Sequence, residues 1–151
     1  RDDETAETGP ALTTAPIDAA VLIGCSPLMR RSLDTVRARG IPVVVIEGDA
    51  GGDIPRIGLD NREAQRHAAR HLRSLGHENV VIRTLPVNAD RPRGFFGPDA
   101  EVTVDVTRDR LSGARDVYPH APAYAAAGSF IDEGLAAGRV LLAGPDRPTA
   151  V

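Results

Sequence analysis

The single thiol of the chain, Cys25, and the imidazoles of His67, His71 and His77 are the residues from which covalent or metal chemistry could be built. A thiolate paired with a histidine would make a nucleophile, but no local cysteine-hydrolase signature surrounds Cys25, and a small buried residue at a strand end is the favoured role. His67 and His71 stand four apart and would share one helix face, a spacing that can hold a metal ion. The run His67-Ala68-Ala69-Arg70-His71 lacks the glutamate of the metalloprotease pattern and a third ligand, so a solvated face is favoured. Gly48 to Asp53 is glycine-rich but matches neither phosphate-cradling spacing. No metal and no cofactor is expected. What remains is recognition chemistry, whose candidates at strand ends are Cys25, Ser26, Glu47, Asp60, Asn61 and Ser129. The guanidinium of Arg110 presents a planar fork of donors that can hold hydroxyls or a carboxylate at two points. Its competing role is that of one exposed helix arginine among many.

These residues fall where strands hand over to helices. Ile17 to Gly24 is a short apolar run ended by glycine, the pattern of a strand buried on both faces of a parallel sheet. Ser26 with Pro27 reads as an N-cap and first-turn proline, Leu28, Ser32, Leu33 and Val36 recur on one helical face, and Gly40 is placed to end the helix. A strand is expected over Val43 to Glu47 and a short extended piece over Arg56 to Leu59. Asn61 can cap a second helix, with Ala64, Ala68, Leu72 and Leu75 as its apolar stripe and Gly76 as its stop. Val80 to Ile82 reads as a strand and Pro86 to Ala100 as a loop of unusual length, with Glu101 to Val106 extended. In that loop Arg91 competes with Arg110 as a ligand contact, and Phe95 or Phe96 either stacks on a ligand or pins the loop. A third helix is expected from Thr107 to Tyr118, a weak strand over Ala121 to Ala126, and a helix starting at Ser129 as N-cap and running to Gly144. Pro148 to Val151 reads as the opening of one more strand.

Strands alternating with helices argue for an α/β fold with parallel, doubly wound sheets, in which ligands sit at the carboxyl ends of the strands. Those ends are Gly24 to Ser26, Glu47, Asp60 with Asn61, the loop after Leu85, and the region of Gly128 and Ser129. Composition narrows the function classes. The 151 residues carry a net charge of -3, which leaves no broad basic face for a nucleic-acid backbone. One cysteine excludes an internal disulfide and a multi-cysteine zinc site and points to a reducing compartment. No apolar run is long enough to span a bilayer, and the acidic start Arg1-Asp2-Asp3-Glu4 is the opposite of a signal-peptide start, so neither a membrane partner nor export is expected. All 18 basic residues are arginine, which speaks of codon bias more than of function.

The run Ile57-Gly58-Leu59-Asp60-Asn61, followed by Ala68 to Val80 with its Leu75-Gly76-His77, resembles the effector-binding domain of the LacI/GalR family of bacterial transcription regulators. Ile17 to Ile23 and Arg39-Gly40-Ile41-Pro42-Val43-Val44-Val45-Ile46-Glu47 resemble two of that family's strands in the same order. Arg110-Leu111-Ser112-Gly113 resembles its "RxxG" helix start, and Asp132-Glu133-Gly134 through Arg147-Pro148-Thr149-Ala150-Val151 its "EEG…RPTAV" segment. The resemblance implies a periplasmic-binding-protein-like pair of lobes, incomplete at both ends here. Residues 1–59 would belong to the N-terminal lobe and residues 60–151 to the C-terminal lobe.

It implies further that Arg110 points into a ligand cleft, that Glu47 can accept from sugar hydroxyls, and that Ser129 stands where relatives place an aromatic or asparagine, a contact Phe130 would then supply. The expected function is cytoplasmic, non-enzymatic sensing of a small-molecule effector, sugar or nucleoside-like, that allosterically controls operator binding by a homodimer. DNA would be reached only through a helix-turn-helix absent from this chain. The alternative is a solute-binding protein of a sugar transport system, which shares the two-lobe fold.

Overall fold

The computed structural model describes residues 12–24, 29–48, 50–90 and 92–151. The chain divides into two compact units, Arg1–Leu59 and Asp60–Val151.

In the first unit, β1 (Ala20–Ile23), α1 (Met29–Ala38), β2 (Val43–Ile46) and β3 (Arg56–Ile57) follow one another. The strands lie in the order β1-β2-β3, all parallel, with Leu22 opposite Val45 and Ile46 opposite Ile57. Leu33 and Val36 are the buried residues of α1, as their spacing requires. Leu33 packs with Val45 and Ala50, and Leu22, Val43 and Ile54 close around them. β1 is not buried on both faces: Val21 and Ile23 are 61% and 73% exposed. Side chains alternate along a strand, and among the described residues α1 covers the Leu22 side of this sheet.

The second unit contains α2 (Asn61–Ser74), β4 (Ile82–Thr84), β5 (Gly94–Phe96), α3 (Asp105–Arg115), β6 (Ala123–Ala125) and α4 (Ile131–Leu141). Its sheet has the order β4-β6-β5, with β4 and β6 parallel. β5 runs antiparallel to β6, so this sheet is mixed where a wholly parallel one was expected, and part of the expected loop is strand. Phe95 meets the Tyr124 ring edge-on at 5.2 Å, while Phe96 packs against the cluster of Ile82, Leu111, Ala114 and Ala123. The two phenylalanines thus pin this segment to the body.

Alternation along the strands sorts the core into two layers. Ile82 and Ala123 face α3, whereas Val81 and Tyr124 pack with Ala137 and Leu141 of α4 on the other side. Strand β4 begins two residues later than the apolar run suggests, because Val80 makes an isolated parallel bridge to Ala150. That bridge agrees with the extended reading of the chain's last residues.

Helix α2 is rotated relative to the expected stripe. Asn61 and Ala69 are its buried residues and Leu72 packs on Val80, Val117 and Tyr118, while Ala64, Ala68 and Leu75 are exposed. The cap is Asp60, whose side chain accepts from the Glu63 N–H at 2.9 Å, so Asn61 is the first helical residue and its side chain points inward. At the other end Gly76 adopts φ +86°, a left-handed conformation that glycine enters without steric cost, and its N–H donates to the Arg73 carbonyl at 3.0 Å. The helix expected from Ser129 is α4, but its cap is Phe130, with no side-chain cap bond.

Candidate functional site

Helices α2 and α3 approach so closely that a Cβ on Gly113 would lie 2.1 Å from the Arg62 carbonyl oxygen. Only a residue without a side chain fits there. The approach is fastened one turn further along by Arg62, which donates to both oxygens of Asp116 at 3.0 and 2.8 Å. That pair holds the Asp116 carboxyl below its usual pKa, chiefly through the hydrogen bond from Arg62. Arg73 donates to the Val117 carbonyl at 2.6 Å and lies 5.6 Å from the centre of the Tyr118 ring, whose hydroxyl donates to the His77 carbonyl.

The same approach sets Arg110 against Asn61. The Arg110 Nε donates to the Asn61 Oδ1 at 2.8 Å, which joins two of the expected site residues across 49 positions of sequence. This bond uses the inner edge of the guanidinium. Its terminal nitrogens make no hydrogen bond or ion pair among the described residues. Beside it, Gln65, Ile82, Arg83, Thr84, Leu85, Thr107, Arg110 and Leu111 line a pocket of about 170 Å³ at the carboxyl end of β4. Thr107 there donates to the Pro86 carbonyl at 3.0 Å, holding the loop that leaves β4. Thr84 Oγ1 and Arg83 Nε are buried and have no hydrogen-bond partner. A larger pocket of about 240 Å³ continues along β4 from Gln65, Ile82 and Arg83 to Val80 and Val151.

The remaining expected residues have other occupations. Asp60 is the α2 cap. Glu47 sits at φ +56°, left-handed for a non-glycine residue, with its N–H donating to the Ile57 carbonyl at 2.9 Å and its Oε1 accepting from the Leu59 N–H at 2.6 Å. Its carboxylate therefore fastens the end of the first unit. Ser129 is exposed and does not cap α4; Phe130 is also exposed and lies over Gly128, where a Cβ would fall 2.9 Å from its ring. Neither lines the pocket beside Arg110. Cys25, Ser26 and Arg91 lie outside the described residues. His67 and His71 are exposed on α2, and among the described residues no three metal-ligating side chains cluster.

Four contributors escaped the sequence reading. Gln65, Arg83 and Thr84 line the pocket without any motif to mark them, beyond the general rule that strand ends carry sites. The fourth is Glu133 in the first turn of α4, which accepts from Arg93 Nε at 3.1 Å, pairs with the terminal nitrogen of Arg93, and accepts from the Ala127 N–H at 2.8 Å. The hydrogen bond from Arg93 is the main cause of a Glu133 pKa below the usual glutamate value, with the Ala127 N–H and the charges of Arg93 and Arg83 adding to it against burial. The capping-box reading from Ser129 pointed to Asp132, one residue before Glu133, because the cap is Phe130 and not Ser129.

No family model matches the chain. It is 36% identical over 87 residues to an HTH-type transcriptional regulator of Mycobacterium tuberculosis, an alignment covering 54% of this chain and 23% of that one. The chain spans about a quarter of the length of the curated relatives it matches. A solved LacI-family transcriptional regulator from Corynebacterium glutamicum superposes with a TM-score of 0.79 at 23% identity, covering 93% of this chain and 45% of the other. A LacI-family regulator from Enterococcus faecalis, solved with bound ribose, gives a TM-score of 0.61 at 22% identity, covering 90% of this chain and 45% of that one. These are regulators, and they lend the transport-receptor alternative no support. The chain has the fold of the LacI-family transcriptional regulators and is related in sequence to HTH-type transcriptional regulators.

Proposed function

We propose that this chain is the ligand-sensing region of a DNA-binding transcription regulator and that Arg110 grips a small-molecule effector. The carrying observation is the Arg110 side chain, fixed through Nε by Asn61 beside a pocket at a strand's carboxyl end, with its terminal nitrogens not engaged among the described residues. A donor fork held by a second side chain loses little conformational freedom on binding, which favours selective recognition of paired acceptors. A sugar or nucleoside-like body supplies such acceptors, and ribose is bound by one regulator of the same fold. By their position in the sequence at strand ends, or beside one, Glu47, Asp60, Asn61, Ser129, Phe130, Cys25 and Ser26 are proposed as further effector contacts.

In the whole protein, effector binding would favour one arrangement of the regulator over another and so alter operator affinity across a homodimer. A coupling of about 1–3 kcal/mol changes operator affinity about 5- to 150-fold. A net charge of -3 does not favour a broad basic face for a nucleic-acid backbone on this chain, so DNA contact is assigned to another part of the protein. No covalent step is required, and a cytoplasmic location is part of the proposal. Among the described residues no helix is long and apolar enough to cross a membrane.

The test is operator binding by the full-length protein, followed by fluorescence anisotropy in the presence of a panel of sugars, nucleosides and their acidic and phosphorylated derivatives. At least one compound should change operator affinity by fivefold or more, and the Arg110→Gln variant should lose that response while still binding DNA. A full-length protein that binds no DNA, or an effector response unchanged by Arg110→Gln, would contradict the reading.

A further inference from the structure

We infer that the outer face of α4 is a self-pairing surface, on which two copies of the regulator pack their α4 helices antiparallel about a two-fold axis. The inference rests on the homodimer of the proposed function, to which it assigns a surface, and is independent of Arg110. Helix α4 presents apolar residues on two sides. On one side Ala137 and Leu141 pack on Val81 and Tyr124. On the other, at about 100° per residue, Ile131, Leu135, Gly138 and Leu142 fall within about 60° of one another. Ile131 is 84% exposed, and Leu135 and Leu142 are each 54% exposed. A helix that is apolar beyond a single stripe is a buried helix, and the described residues leave this second stripe open.

The charges beside the stripe fit a second copy. Asp132 and Arg139 lie about 80–100° round from Ile131, on the same flank. Both are exposed, and neither has a hydrogen bond or ion pair among the described residues. A second α4 can be turned end for end about a two-fold axis perpendicular to the plane of the two helices, passing between Leu135 and Gly138. The equivalent flanks then lie side by side, and Asp132 of each copy stands within about 3 Å, along the helix, of the level of Arg139 of the other. One acid and one base on a single helix thus make two symmetric ion pairs, the self-complementarity that a two-fold contact requires.

The same arrangement places Leu135 opposite Gly138 and Ile131 opposite Leu142. Glycine inside a helix is destabilising relative to alanine, and a Cβ added to Gly138 meets nothing within 4 Å in the chain's own fold. In the pair, Gly138 is the hollow that receives Leu135. An interface of standard size buries about 800 Å² on each partner, more than a helix about 16 Å long supplies, so α4 forms its centre.

The test is sedimentation equilibrium of the full-length protein. The wild type should be a dimer, and Leu135→Glu should raise the dimer Kd at least tenfold with an unchanged far-ultraviolet circular dichroism spectrum. Asp132→Arg and Arg139→Asp should each weaken the dimer at least fivefold, and the double reversal should return the Kd to within twofold of the wild type. Each reversal opposes the helix dipole and the two together oppose it more, so recovery in the double reversal cannot come from helix stability. A full-length protein that stays monomeric would overturn the inference together with the homodimer, and leave this face to the regulator's own chain. A dimer indifferent to Leu135→Glu, or single reversals that the double reversal does not repair, would overturn the self-pairing surface and leave the homodimer standing.

Discussion

Replacing Gly113 by alanine tests whether close approach of α2 and α3 is what positions Arg110. The added Cβ would lie 2.1 Å from the Arg62 carbonyl oxygen, 3.0 Å from the Arg62 carbonyl carbon and 3.1 Å from the Arg66 amide nitrogen. All three are backbone atoms of α2, so no side-chain rotation relieves the clash, and the helices must separate by about 1 Å. Overpacking of this kind costs about 1–3 kcal/mol. Against it stands the intrinsic helix preference of alanine over glycine, about 1 kcal/mol. A matched control exists in α4, where an added Cβ on the exposed Gly134 meets nothing within 4 Å. Gly134→Ala should therefore stabilise the protein by about 0.5–1 kcal/mol and Gly113→Ala should be less stable than it by the overpacking cost, about 1–3 kcal/mol. Urea unfolding followed by far-ultraviolet circular dichroism measures both. Equal stabilisation by the two substitutions would refute the claim that Gly113 is required by the helix contact.

Three further outcomes follow from side-chain bonds in the second unit. Asp60→Ala removes the acceptor for the Glu63 N–H and should cost about 1 kcal/mol in the same unfolding assay, whereas Asp60→Asn should cost little. Asn61→Ala frees the Arg110 Nε and should weaken effector binding through a raised Kd with operator binding unimpaired, as measured by calorimetry and anisotropy on the full-length protein. Glu133 titrates below its usual value because of Arg93, so the stability it contributes is present above the unfolded glutamate pKa, about 4.3, and is lost as pH falls through the lower folded value. Unfolding free energy should thus drop less steeply on acidification in Glu133→Gln than in the wild type; some slope will persist through Asp116, which Arg62 holds low in the same way.

The parts of the fold that were legible in the sequence are those set by local chemistry. Gly40 and Gly76 end their helices, Leu33 and Val36 face inward, and Leu111 and Ala114 are buried on the third helix, while Val117 and Tyr118 are both buried beyond its end at Arg115. The face of α2 was misjudged because capping could fall on Asp60 or Asn61, and alanines at 64, 68 and 69 offer several equally apolar stripes. In a helix a one-residue error of phase turns the face by about 100°. Strand β5 was hidden because its three residues pair with a partner some thirty positions away and carry no alternating pattern of their own.

The site divides along the same line. Arg110 with Gly113 was visible as a motif, and the structure gives the spacing a physical reason: the glycine permits the helix contact that sets the arginine against Asn61. Thr84 and Arg83 were invisible, since an unpartnered buried hydroxyl is defined by what surrounds it and not by its neighbours in sequence. The Arg93–Glu133 pair spans 40 positions and is equally a product of the tertiary fold.

The central claim is that a small molecule held by Arg110 controls operator affinity. It is tested most directly by the anisotropy of labelled operator DNA titrated with the full-length regulator, wild type and Arg110→Gln, with and without the compound of the panel that changes operator affinity most. The wild type should shift its operator Kd by fivefold or more on adding that compound, and Arg110→Gln should bind operator with the same Kd in both conditions. An equal shift in the two proteins would contradict the claim.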